Sequence, residues 1–121
     1  MIKLMIVDDS NIIRNKINRA KDSDKFDVVA MASNGLEAID AFINNKPQVV
    51  TMDLTMPKMD GIACIDKLIG LDPNVNILVV SALSDKATGI AALERGARGF
   101  LLKPFSEEQL QNALIELSED L

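Results

Sequence analysis

Two hydrophobic rhythms alternate along the chain. Short, nearly continuous apolar runs occupy 3–8 (KLMIVD), 27–32 (DVVAMA), 48–53 (QVVTMD), 76–81 (NILVVS) and 99–103 (GFLLK). Runs of this length and β-rich character predict strands covered on both faces. Between them the spacing turns helical. Ile13, Ile17 and Ala20 mark a first helix. Leu36, Ile39 and Ile43, with Phe42 beside them, mark a second. Ile62, Ile65 and Ile69, with Leu68 on the same face, mark a third. Ile90, Leu93 and Ala97 mark a fourth, and Leu110, Ala113, Leu114 and Leu117 a fifth. Ser106 followed by Gln109 predicts a capping box opening the last helix. Gly96 suits the end of the fourth helix, and Pro47, Pro73 and Pro104 fall in predicted loops. Met5, Met31 and Met52 are expected in the core, with Met56 and Met59 partly exposed in the loop after Asp53.

Five strands alternating with five helices imply a parallel sheet with helices on both faces, a doubly wound α/β domain. With 121 residues and no repeat, linker or low-complexity segment, one domain over 1–121 is expected. In such sheets ligands bind at the carboxyl ends of the strands, near the point where strand order reverses. Functional residues should therefore sit at the last strand position or just after it.

Polar residues do fall there. The first strand runs into Asp8 and Asp9, the third into Asp53, the fourth into Ser81 and the fifth into Lys103, followed by Pro104. If the first and third strands are neighbours, three carboxylates converge. Like charges repel, more strongly as water is excluded, and a hard divalent cation reverses that penalty. Mg²⁺ takes oxygen ligands and keeps several waters, typically with one or two carboxylates and a phosphate. Lysine adds a mobile positive charge for a phosphate oxygen, and Ser81 adds a neutral hydroxyl donor. The set describes a place for a phosphoryl group beside Mg²⁺. A carboxylate can also be the nucleophile, forming an aspartyl phosphate. Taken singly each residue has a plainer reading: Asp8, Asp9 and Ser10 suit a helix N-terminus, and Asp53, Ser81 and Lys103 are ordinary loop-edge residues. Their joint placement at four strand ends carries the inference.

Composition narrows the classes. The chain has no His and no Trp, a net charge of −5 and a pI near 4.6. Histidine catalysis and imidazole metal sites are excluded, and an acidic surface argues against a nucleic-acid partner. No apolar run approaches a membrane span and no signal peptide is apparent, so a cytoplasmic protein is expected. The single Cys64, flanked by apolar residues, reads as a packed thiol.

The motifs IVDDS (6–10), MDLTMPKMDG (52–61), VVSAL (79–83) and GFLLKPF (99–105) resemble those of response-regulator receiver domains along essentially the whole chain. The resemblance implies a flavodoxin-like (βα)5 fold with strand order 2-1-3-4-5. It implies Asp53 as phosphoacceptor. Mg²⁺ (or Mn²⁺) would be held by Asp9, Asp53 and the backbone carbonyl of Thr55, with Asp8 acting through a metal-bound water. Lys103 and Ser81 would contact the phosphoryl group, and Phe100 would be the switch aromatic that turns inward as Ser81 moves. The Lys103–Pro104 bond is cis in many members. Ser81 stands where Thr is commoner and Phe100 where Tyr is frequent; Thr55 and Leu83 lie where members tune phosphate hydrolysis. VTMDLTMPKMDGI, LDPN and GARGFLLKPF are most similar to the single-domain chemotaxis type.

The implied function is a phosphorylation switch and not an enzyme. A histidine kinase would donate the phosphoryl group. The surface formed by the fourth helix, fifth strand and fifth helix would change and bind a target, such as a flagellar switch component or a phosphotransfer protein. Ile115, off the main stripe of the fifth helix, could be an exposed contact. The chain would act as a monomer or a phosphorylation-dependent dimer. A phosphorelay intermediate or a receiver excised from a larger regulator fits the same motifs. Two rivals come from other classes. Aspartyl-phosphate phosphatases usually space two acids by one residue after the first strand, and here they are adjacent. A flavodoxin-like FMN binder would need donors where DDSN places two negative charges.

Overall fold

The computed structural model describes the chain except residues 55, 57, 58, 83–85 and 120 and the side chain of Lys86. Strands and helices alternate strictly: β1 (Ile2–Val7), α1 (Asn11–Ala20), β2 (Phe26–Ala32), α2 (Gly35–Asn45), β3 (Val49–Met52), α3 (Gly61–Leu71), β4 (Asn76–Ala82), α4 (Lys86–Glu94), β5 (Gly99–Lys103) and α5 (Glu107–Leu117). The five strands form one sheet in the order β2-β1-β3-β4-β5, every pair parallel. This is the doubly wound arrangement that the alternating rhythms predict.

Side chains alternate across the sheet with the period of two that a strand imposes. Met5, Val7, Val50, Met52, Ile77 and Val79 face one apolar layer, shared with Ala38 and Phe42 of α2, Cys64, Ile65 and Leu68 of α3 and Ala92 of α4. Leu4, Ile6, Val49, Leu78 and Val80 face the other, shared with Ile17 and Ala20 of α1 and Leu110 and Leu114 of α5. Four helices start on side-chain caps. Ser10, Asn34, Asp60 and Ser106 accept hydrogen bonds from the amides of Ile13, Glu37, Ala63 and Gln109, each satisfying an amide that the first helical turn leaves unpaired. At α5 the Gln109 side chain also accepts from the Ser106 amide at 2.8 Å, closing the predicted capping box. Gly96 follows α4 with φ +117°, a left-handed position that glycine adopts without strain.

The structure corrects four readings of the sequence. The buried face of α2 is Ala38 and Phe42, while Leu36 and Ile43 of the predicted stripe are about half exposed. In α4 the helix buries Ala92, and Ile90 and Leu93 are exposed; Ala97 is buried but lies beyond the helix end. Met31 is exposed on β2 because β2 is an edge strand of the sheet. Strands β1 and β3 end at Val7 and Met52, so Asp8 and Asp53 are the first residues after them, whereas β4 continues past Ser81 to Ala82. The third and fifth helical stripes, the half-buried Met56 and Met59, and the exposed Ile115 follow the pattern expected. No helix among the described residues is long and apolar enough to cross a membrane.

Candidate functional site

The site lies where β1 and β3 end side by side. β1 pairs with β2 on one flank and β3 on the other, so α1 leaves the sheet on one face and α3 on the opposite one. That divergence opens a crevice at the carboxyl ends of the two strands, the usual ligand position in open α/β sheets. The ladder extends into the crevice on both sides. Asp53 donates its amide to the Val7 carbonyl at 2.9 Å, and Asp8 donates its amide to Ala32 at 3.1 Å. The two carboxylates are thus set by sheet backbone.

Asp8 and Asp53 are buried, and Asp9 beside them is exposed. One carboxylate oxygen from each of the three lies within 4.8 Å of the others. Three negative charges held this closely repel one another unless a cation intervenes. One cation comes from the fold. Lys103, at the end of β5, places Nζ 2.9 Å from Asp8 Oδ2 and 3.8 Å from Asp53 Oδ1. Asp8 Oδ1 accepts the Ser10 amide at 2.9 Å, so both oxygens of Asp8 are engaged. The spacing and the all-oxygen donors suit a small hard ion. Mg²⁺, which takes oxygen ligands and keeps several waters, would be held by these carboxylates, with the exposed Asp9 on the side open to solvent.

Ser81 is buried one residue before the end of β4, paired with Leu102 of β5. Phe100, paired with Val79, is half-buried and turned toward α4. There it lines an apolar groove of about 340 Å³ with Gly89, Ile90, Leu93 and Leu102. The Lys103–Pro104 bond is cis. The structure therefore brings Asp8, Asp9, Asp53 and Lys103 together and places Ser81 at the end of a neighbouring strand. Thr55 and Leu83 lie outside the described residues.

Two contributors had no counterpart in the sequence pattern, and a third was visible there without its reason. Arg14 of α1 donates from Nη1 to the Asp8 carbonyl at 2.6 Å, tying the acidic loop to the helix after it. Lys16, two residues on, donates to the Phe105 carbonyl. Gly61 lets α3 begin against the loop after β3: a Cβ there would lie 2.5 Å from Leu54 Cα and 2.6 Å from the Asp53 carbonyl oxygen. The glycine is visible in MDG, but only the close approach explains it. Cys64 is buried, its thiol pushed up to about 11 by burial and secondarily by the charge of Asp60. It is a packed thiol, as expected.

A family model described as the response regulator receiver domain matches residues 4–115. The chain is 42% identical over 115 residues to chemotaxis protein CheY of Listeria monocytogenes, covering 94% of this chain and 96% of that protein. It is 37% identical over 117 residues to chemotaxis protein CheY of Thermotoga maritima, covering 97% and 98%. Among solved structures, it is similar to a chain of the CheX–CheY–BeF3–Mg complex from Borrelia burgdorferi, with TM-score 0.90 and 30% identity, covering 96% of this chain and 88% of that one.

Proposed function

The chain belongs to the response-regulator receiver family, and from that premise we propose that it is a phosphorylation switch with Asp53 as phosphoacceptor, fed by a histidine kinase of a chemotaxis-type two-component system. The observation that carries this reading is the convergence of Asp8, Asp9 and Asp53 within 4.8 Å with Lys103 against two of them. Asp53, like Asp8, is a buried acid just past a strand end with its amide fixed in the ladder; its assignment as acceptor over Asp8 rests on the receiver motif at 52–61. Asp9, Asp53 and the Thr55 carbonyl would hold Mg²⁺ directly, and Asp8 through water. Bound there, the ion offsets negative charge on the phosphoryl oxygens.

In the transfer, the P–N bond of the donor phosphohistidine breaks and a bond forms between phosphorus and an Asp53 carboxylate oxygen. The imidazole leaves and takes a proton from solvent. Lys103 exchanges its contact with Asp8 for one with a phosphoryl oxygen, and the Ser81 hydroxyl donates to another. Phe100 then leaves its groove against α4 for the space behind Ser81. The phosphate shifts the population because it contacts one arrangement better than the other.

The changed face of α4, β5 and α5 would bind a target in trans, with 1–121 acting as one receiver domain in the cytoplasm. The receiver family model matches residues 4–115, and the chain covers 96% and 98% of two CheY relatives. The target that the family resemblance implies is a flagellar switch component or a phosphotransfer protein, and the similar CheY of Borrelia burgdorferi is found in a complex with CheX. Intact mass after incubation with acetyl phosphate and Mg²⁺ tests the reading. One labile phosphoryl adduct is expected, absent from Asp53→Asn and from chelated protein. An adduct that persists in Asp53→Asn would remove Asp53 from the role. No adduct, together with failure to bind beryllofluoride, would remove the phosphoacceptor function.

A further inference from the structure

Lys103 is the only described cation against the carboxylates, and its place depends on a weakly supported piece of chain. β5 is an edge strand paired only with β4, and its last ladder position is Lys103 opposite Ala82. Pro104 comes next and has no N–H to donate. The following anchor is Phe105. Its ring is buried among Leu110, Leu114 and Ile17 in the α1–α5 layer. Its carbonyl accepts from Lys16 Nζ at 2.5 Å, and the same ammonium stands 4.4 Å from the centroid of its ring. One lysine of α1 therefore grips both the backbone and the ring of a residue two positions after Lys103. Ser106 then caps α5, so the turn between β5 and α5 is held at Phe105 and Ser106.

The other bank of the site is held from the same helix. Arg14 Nη1 donates to the Asp8 carbonyl at 2.6 Å. Helix α1 thus contacts both the loop that carries the acids and the loop after the lysine, through two cations bonded to backbone carbonyls. Charge-assisted bonds of this kind are stronger than neutral ones.

We propose that Lys16 is a positioning residue for Lys103. By holding Phe105 it fixes where β5 delivers the Lys103 ammonium relative to Asp8 and Asp53. This rests on the reading of Asp53 as phosphoacceptor for its kinetic consequence, but its structural consequence stands apart from that reading. Cation and carboxylates remain chemically intact in a Lys16 variant; only their registry loosens. Misplacement by about an ångström is enough to slow a positioned reaction by orders of magnitude.

The experiment compares Lys16→Met, Lys16→Arg and Gln111→Leu with wild type. Gln111 Nε2 donates to the Ala20 carbonyl at 2.8 Å, so its loss loosens α5 from α1 at the far end and reports a purely structural effect. The rate of phosphorylation by acetyl phosphate at saturating Mg²⁺ and the Mg²⁺ affinity are measured. The NMR signals of the Lys103 side chain in the unphosphorylated protein are recorded beside them. Lys16→Met is expected to slow phosphorylation about ten-fold and move the Lys103 signals, with Mg²⁺ affinity unchanged within about two-fold. Lys16→Arg, which keeps donor and cation, is expected to restore most of the rate, and Gln111→Leu to leave rate and signals as in wild type. A wild-type rate with unmoved Lys103 signals in Lys16→Met overturns the proposal, as does equal slowing in Gln111→Leu or no rescue by Lys16→Arg. If wild type accepts no phosphoryl group while Lys103 still shifts in Lys16→Met, the positioning role stands and the Asp53 reading falls.

Discussion

Helices α4 and α5 flank the same edge strand and are attached to it in opposite ways. α5 enters through a capping box and sets Leu110 and Leu114 into the core with no exposure. α4 lays Gly89 and Ala92 on the sheet and leaves Ile90 59% and Leu93 44% exposed. Burial of a large aliphatic side chain stabilises by about 1.5–3 kcal/mol, and an alanine contributes far less. The difference says which helix is framework and which can be rearranged. A helix held by small residues can shift without tearing out a core side chain, and its large apolar residues already face outward.

The sharpest way to break that comparison is to truncate one leucine on each helix. Leu114→Ala should lower the free energy of unfolding by about 3 kcal/mol, within the range for fully buried leucines. Leu93→Ala should change it by no more than about 0.5 kcal/mol, as for other surface positions. Urea melts of the two variants decide this, and comparable losses would mean that α4 is as firmly seated as α5.

The layer that α4 shares contains a titratable core group, and it gives a second, smaller test. Cys64 has its thiol raised from 9.0 to about 11 by burial, with the charge of Asp60 adding to it. Above pH 9.0 the unfolded chain gives up this proton while the folded one keeps it. The unfolded state then binds fewer protons, so stability falls as pH rises. The contribution is fully present below pH 9.0 and is lost as pH rises toward 11. Two units correspond to about 2–3 kcal/mol. Denaturation across this window should show wild type losing more stability than Cys64→Ala by about that amount. Parallel curves would mean that the α3–α4 side opens to solvent far more easily than its burial suggests.

Third comes the entry of α5. Ser106→Ala removes a cap that accepts the Gln109 amide at 3.1 Å, and should lower stability by about 1 kcal/mol. Hydrogen exchange should quicken in the first turn of α5. Loss of protection in α4 as well would show that the two helices are coupled through β5.

The same contrast explains what could be read from the chain. Leu110 and Leu114 obey the helical spacing because in α5 the stripe of large apolar residues is the buried one. In α4, and for Leu36 and Ile43 of α2, that premise fails. Gly89 and Ala92 allow close approach of helix to sheet, while Ile90, Leu93, Leu36 and Ile43 turn outward. Spacing alone cannot separate a small buried residue from a small exposed one. Met31 misleads for a different reason: nothing in DVVAMA marks β2 as an edge. The carboxylates and Lys103 were legible because a parallel sheet gathers the ends of all its strands at one edge, whatever the side-chain packing. Arg14 and Lys16 were not. A cation on a helix surface carries no periodic signal, and its partner here is a backbone carbonyl, 89 residues away for Lys16.

The smallest expected change in stability comes from Gly89→Ala, and it bears most directly on how α4 holds Phe100. In a helix interior, alanine is favoured over glycine by about 1 kcal/mol. At Gly89 the added Cβ would meet the Phe100 ring, lying 2.8 Å from Cδ2 and from Cζ and closer still to Cε2. Something must shift, and the ring is the more mobile partner because the alternative is to lift α4. The propensity gain and the steric loss should nearly cancel, leaving stability within about 0.5 kcal/mol of wild type. The ring signals of Phe100 should nonetheless move, since the ring has been displaced from its seat. Linkage then fixes the sign of a second effect. If the ring is driven toward the inward arrangement, beryllofluoride should bind more tightly, because a change that favours one state favours every ligand of that state. The full stabilisation of alanine with unmoved Phe100 signals would mean that the ring does not rest on Gly89 in solution. The close approach of α4 to β5 would then serve packing alone.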